Sequence, residues 1–492
     1  MAISFDTIPN VLVPGHYTET NADRAAAGSP ALPKRMLVVG QRLTTGTVAA
    51  NTPFRVFSSG DGDKSAGVGS MLAEMLRVVK EAYPSLELYG VGLADAGGGV
   101  KANGEFTISG TATEAGSIVL YTGTYRVGST TRGRYTVPVA SGDTAAAIAT
   151  AAAAIINADP YRCVDAVANV GALEITARQA GVLGNSIALK HSFYEGESLP
   201  AGIAIALVAM TSGATNPAVG TAIANMGDKH FSHVVNPYND TTSVAAFVIE
   251  AVRRWGGTVQ RECQLFGAAN GSLSDLTTLG DAQNSQFNSI MGVGLSPSPS
   301  WIVAADYAAV VAFETHPGRP FLGKTLKSMI APANGDEFTS DEREQLLAEG
   351  ISTFLVDAGG LCSIERAVTT HQEDQFGNPT SVYRDIQVIS LLFAIRYDWR
   401  LFLAARYPRH MHAADRTIYG PGLPIVQPST IKAEFAGRAR NVWAKDQGWM
   451  ESPDQFEEDI VIERVEDGFD MIGVPDLINR FHVSRTRFDF LR

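Results

Sequence analysis

Met36-Leu-Val-Val-Gly40 is followed by Val68, Met71, Leu72, Met75, Leu76, Val79 and Tyr83, and then by Leu86-Glu-Leu88-Tyr-Gly-Val91. The first run is short and continuously apolar, as in a strand covered on both faces. The second recurs at i, i+3, i+4, i+7, i+8 and i+11, which predicts one amphipathic helix with Asp63 or Ser65 as its cap and Pro84 as its stop. The third is the next strand. Strand, helix, strand at this spacing is a βαβ unit, so part of the sheet is expected to be parallel.

The rhythm breaks at Gly97-Gly98-Gly99. From 101 to about 213 come short β-rich runs: Thr107-Ile108, Ser117 to Tyr121, Tyr135 to Val139, Leu173 to Ala177, Ser186 to Leu189 and Gly202 to Val208. One Ala-rich helix, capped by Asp143-Thr144, interrupts them. A second joint, Thr211 to Pro217, closes the stretch, and α/β alternation then resumes. Phe231 to Val235, Gln264 to Gly267, Ile290 to Val293, Ile351 to Val356 and Cys362 to Thr370 read as strands. Val244 to Trp255, Ala304 to Phe313, Ser340 to Glu349 and Asp385 to Arg406 read as helices. The fold class is therefore α/β: a discontinuous core with a mixed, partly parallel sheet flanked by helices, a β-rich inserted domain, and extended arms at both ends. The arms are residues 1–24, where Pro9 and Pro14-Gly15 forbid a helix, and 471–492, which ends in strand-like alternation.

Composition narrows the function. At 492 residues with 45% hydrophobic content, the chain can bury a large core. Its net charge of −12 argues against a nucleic-acid partner. The apolar runs Ile203 to Met210 and Val388 to Ile395 are too short to cross a membrane. Met1 to Asp6 has neither a basic nor an apolar signal region, so folding in a reducing cytoplasm is expected. Cys163, Cys263 and Cys362 have no framework or metal spacing and read as buried free thiols.

Motifs for chemistry fail one by one. In Ser59-Gly-Asp-Gly-Asp-Lys64-Ser65, Asp63 stands where a phosphate loop needs glycine, and its carboxylate would repel phosphate. No G-x-G-x-x-G follows a strand, and no G-x-S-x-G occurs. His230-x-x-His233 and His410-x-His412 lack carboxylate partners nearby and read as structural or solvated. Asp336-Glu337 and Glu457-Glu458-Asp459 read as helix-start or solvated charges. No catalytic, cofactor or metal residues are assigned. Two extended ends on one globular body point instead to strand addition between copies, and so to a polymer.

The chain also resembles a family, the contractile tail sheath proteins of Mu-like bacteriophages. The residues that carry the resemblance are Ile3-Ser-Phe5-Asp-Thr-Ile8-Pro9-Asn10 with Val13-Pro14-Gly15, Gly69 to Met75, Gly110 to Tyr121, Gly184 to Leu189, Ile364 to Thr370, Arg396-Tyr-Asp-Trp-Arg400, Tyr407-Pro-Arg-His410, Tyr419 to Val426 and Pro475 to Asn479. Leu12 departs from the basic residue expected in the arm. The resemblance implies a non-enzymatic subunit that forms stacked hexameric rings around a tail tube in a metastable extended state. Contraction then drives the tube through the host envelope without nucleotide or cofactor. It implies partners in the tube, baseplate and tail terminator proteins, no nucleic acid and no membrane insertion, and a place in the virion tail after assembly in the host bacterial cytoplasm. A tube or capsid component and a hydrolase with a spatially assembled site remain the alternatives.

Within this frame the expected organisation is an N-terminal arm at 1–24, core at 25–100, outer-surface insert at 101–215, core at 216–400, a tube-facing segment at 401–470, and a C-terminal arm at 471–492. The inter-subunit candidates are Ile3, Phe5 and Ile8 with Phe481, Val483, Phe488 and Phe490, swinging on a hinge such as Gly468 or Gly473. The tube-facing candidates are Arg438, Arg440 and Lys445 around Trp443; an amphipathic helix with a solvated basic face is the other reading. The insert is expected to be a separable decoration, so that a short linker in place of 104–212 leaves a folded chain.

Overall fold

The computed structural model describes Leu32, 34–420 and 422–489. Strands β1 (Arg35–Gln41), β2 (Pro53–Val56) and β3 (Glu87–Leu93) open the core, with helices α1 (Asp61–Ala66) and α2 (Met71–Ala82) between the second and third. The single predicted helix is thus two. Gly67 and Gly69 adopt φ of +93° and +70°, the left-handed region where glycine carries no penalty, so the chain turns there and leaves Val68 outside both helices. Ser70 then caps α2 by accepting from the Ala73 amide. Gly69 has a second reason to be glycine: a Cβ there would lie 2.6 Å from the Pro160 carbonyl.

The insert carries β4 (Lys101–Gly110), β5 (Gly116–Val127), β6 (Thr130–Val139), α3 (Ala145–Ala158), β7 (Val164–Asn169), β8 (Ala172–Ala180), β9 (Leu189–His191) and β10 (Ile203–Thr211). These form a four-stranded sheet in the order β10-β4-β8-β7 and a three-stranded sheet β6-β5-β9. Val100 and Ala214 form an antiparallel bridge, so the two necks of the insert run side by side.

The core resumes with α4 (Gly220–Asn225), β11 (His233–Val235), α5 (Thr241–Trp255), β12 (Gln264–Asn270), α6 (Leu273–Asp281), β13 (Asn288–Gly294), α7 (Ser300–Phe313), α8 (Ser340–Ala348), β14 (Ile351–Val356) and β15 (Cys362–Arg366). The sheet order is β15-β14-β13-β12-β11-β1-β3-β2. Its six central strands are parallel, and only β2 and β15 at the edges are antiparallel. Alternate residues face opposite layers. Met36, Val38, Val235 and Phe266 pack with α2 and α7, whereas Leu37, Val39, Val234 and Leu265 pack with α4 and α5.

Helix α9 (Ile386–Arg406) runs from this sheet unit, residues 34–390 with 480–489, into a second compact unit formed by Leu32 and 391–479. The division falls ten residues before the expected boundary at 400. The second unit packs around Trp399, Phe435, Trp443 and Phe456, with Trp399 stacked 4.1 Å over Phe435. Its helix α10 (Pro428–Arg438) continues into a π-helical turn, Ala439–Asp446, and a hairpin, Val461–Val465 with Gly468–Ile472, follows.

Candidate assembly surfaces

In an open parallel sheet, ligands bind beyond the strand C-termini where strand order reverses. Here that point lies between β1, which leads outward to β3, and β11, which leads the other way. The insert closes it. Gln179 donates to the Gln41 carbonyl at 2.9 Å, and Gln41 donates to the Ala180 carbonyl and to Asp95, each at 2.6 Å. Asn216, in the returning neck, donates to Asp240 at the start of α5 at 2.9 Å. The crevice that would hold a substrate is filled by the chain's own polar side chains.

The insert is bound to the core elsewhere too. Tyr125 donates to buried Glu74 of α2 at 2.8 Å. The Thr124 and Arg126 amides donate to the Pro297 and Ser328 carbonyls, and Arg77 and Arg132 flank the Tyr161 ring. Apolar side chains of insert and core form one continuous cluster. These contacts weigh against the expectation of a separable decoration, because excision would strip a buried carboxylate of its donor and expose a packed face.

The other sequence motifs have structural roles. Asp61 accepts the Phe57 and Ser58 amides, and Asp63 pairs with Arg77, so the glycine-rich loop at 59–65 is held by carboxylates. His230 donates to the Glu262 carbonyl at 2.8 Å. His233 stacks on Phe266, and burial pushes its imidazole down to about 3, so it stays neutral. Arg464 donates to Nδ1 of His412, which fixes the tautomer in which Nε2 donates to the Glu466 carbonyl. Burial pushes all three thiols up to about 12. Among the described residues no cluster of three metal-ligating side chains occurs, and no helix is long and apolar enough to cross a membrane.

Of the tube-facing candidates, Arg438 is corrected. It lies buried against Asp398, with Nη2 2.6 Å and Nε 2.8 Å from the carboxylate, and Trp443 Nε1 donates to the same group at 2.7 Å. Arg438 and Trp443 are five apart, a spacing that puts side chains about 140° apart on an α-helix. The π turn brings them to one side. Arg440 and Lys445 are exposed, and Arg440 bridges Asp454 and Glu457.

At the C-terminus Phe481, Val483 and Phe488 are 81%, 64% and 88% exposed, and residues 481–489 pair with no strand among the described residues. Ile3, Phe5, Ile8 and Phe490 lie outside the described residues. The hairpin at 461–472 is two strands wide, with no further ladder partner among the described residues and with Val461, Val465 and Ile472 exposed. Gly473 beside it is no free swivel, because a Cβ there would meet the Phe435 and Phe456 rings at 2.9 Å.

Over its full length the chain is 31% identical to the Mu-like prophage FluMu tail sheath protein of Haemophilus influenzae, covering 100% of both. The chain belongs to the phage tail sheath family. The family region described as the phage tail sheath protein central domain matches residues 212–370 of this sheath subunit, from the end of the insert through β15. Solved sheath tail proteins from Desulfitobacterium hafniense and Listeria innocua align with it at 12% and 13% identity and a TM-score of 0.47 each. The alignments cover 94% and 93% of this chain and 100% and 95% of theirs. The protein is a structural tail sheath subunit and a component of a virion tail, not an enzyme. Membership in the sheath family removes the tube, capsid and hydrolase alternatives.

Proposed function

We propose that this sheath subunit assembles in the host cytoplasm as hexameric rings stacked helically around a tail tube, between baseplate and terminator, and contracts to drive the tube through the host envelope. Subunits stay joined during that change through strands lent to neighbours: residues 483–491, and an N-terminal arm containing Ile3, Phe5 and Ile8. The insert lies outermost, and Arg440 and Lys445 face the tube.

The carrying observation is the pair of unsatisfied partners in one chain. Among the described residues, the C-terminal segment carrying Val483 and Phe488 makes no ladder, and the hairpin pairs with no third strand. Two-stranded hairpins are marginal alone, and an open edge invites a third strand.

The test is deletion of residues 483–492. The expected product is a soluble monomer with the melting temperature of the full chain that forms no cylinders by negative-stain microscopy. Cylinders of normal width from the truncated chain would refute the arm linkage.

A further inference from the structure

We propose that Asp385 is a clamp for the root of the C-terminal arm, so that the subunit presents its strand from one fixed point of the sheet unit. This rests on the arm reading above and adds the residue that positions the arm.

Asp385 sits at the start of α9, where its backbone bridges to Val368 just beyond β15. Its side chain is 8% exposed. Arg366, the last residue of β15, grips both carboxylate oxygens at 2.9 and 3.2 Å. Arg480 reaches Oδ2 at 3.3 Å, and Nε2 of His482 lies 3.7 Å from Oδ1. These two are largely covered, although Phe481 between them is 81% exposed. Arg480 and His482 thus turn their side chains to Asp385, and the aromatic ring between them turns out. From Val483 to Asp489 every residue is exposed. The free arm begins where the clamp ends.

Coulomb attraction strengthens as water is excluded, so a buried carboxylate facing two guanidinium groups holds them firmly. Burial alone would raise the Asp385 carboxyl. Arg366 first, then Arg480 and His482, more than offset this and keep it below the usual carboxylate range. One carboxylate thereby ties the sheet edge, the start of α9 and the arm root together. Exposure alternates from Arg480 to Val483, with Arg480 and His482 covered and Phe481 and Val483 exposed. The covered parity serves the subunit's own anchor.

The experiment uses the full-length chain in three forms: Asp385→Asn, the double variant Arg480→Gln/His482→Gln, and the 483–492 deletion. Backbone amide exchange of the monomer and the protein concentration at which cylinders appear are read together. Both clamp variants are expected to speed exchange at 480–483 on the order of tenfold, to leave exchange in β1, β12 and β13 unchanged, and to raise the assembly concentration several-fold. The double variant keeps the test valid if Asp385→Asn disturbs the helix start. Unchanged exchange at 480–483 in the double variant overturns the clamp, as does faster exchange with an unchanged assembly concentration. If the deletion still forms cylinders, the arm reading falls and the clamp with it. If the deletion abolishes cylinders but both clamp variants assemble like the parent, the clamp alone falls.

Discussion

Asp306 and Arg438 show how differently two buried charges are met. Asp306 lies fully buried in α7. Its Oδ2 accepts the Ser328 amide, and Oδ1 has no hydrogen-bond partner among the described residues. Burial, only partly offset by the Ser328 amide and Lys327, pushes its carboxyl up to about 6. The folded chain therefore binds this proton more tightly than the unfolded chain does. The stability it confers is present in acid, is lost as pH rises towards 6, and stays lost above. Asp306→Asn should raise the melting temperature at pH 7.5, by about 2–3 kcal/mol of stability, and should give no gain at pH 4. Equal shifts at both pH values would show that the carboxylate is not the cause. Arg438 is the opposite case, because its charge is fully matched by Asp398. Arg438→Met should cost about 3–5 kcal/mol by stranding that carboxylate, read as earlier unfolding by tryptophan fluorescence. No cost would mean that water reaches Asp398. Neither pairing could be read from sequence: Asp398 and Arg438 are 40 positions apart, and the π turn that aims Trp443 at the same carboxylate leaves no pattern.

Periodic apolar patterns made most strands of the insert and the long helices legible, because each buries one face against a layer; β7, Val164–Asn169, was not among them. Elements lacking that signal were missed. Strand β2 is four residues long, and α6 has only Leu273, Leu276 and Leu279 as apolar side chains. A signal for α6 did exist: Ser272 and Asp275 form a capping box. What sequence could not show was adhesion between elements, as between β5 and α2. Tyr125→Phe should cost about 1–3 kcal/mol by leaving Glu74 short of a donor, and replacing 104–212 with a linker should abolish cooperative melting. A linker variant that melts like the parent would restore the view of the insert as a detachable decoration.

At the scale of the molecule, the tail sheath family was legible from the order of its matching stretches along the chain. The clamp was not, because Arg366, Asp385 and Arg480 meet only through the fold. The proposed tube-facing surface presents Arg440 and Lys445, both exposed. Reversing Arg440 and Lys445 to Glu should weaken co-assembly with tube about tenfold at low salt, and the deficit should shrink as salt screens it. A loss independent of salt would instead implicate the Arg440 bridge to Asp454 and Glu457 in folding.

The bridge between Val100 and Ala214 also orders events on the ribosome. Strand β3 emerges early, and its route to β11 is interrupted by the whole of 100–214, on the order of ten seconds of synthesis. Were that stretch to stay loose, β1 would have to find β11 across a long flexible loop. The contacts within the insert are local in sequence, and α2, against which β5 packs, is already made. Once Val100 and Ala214 meet, the polypeptide between the two halves of the sheet shrinks to a short connection, and the nascent chain completes its parallel strands as though the detour had never been translated.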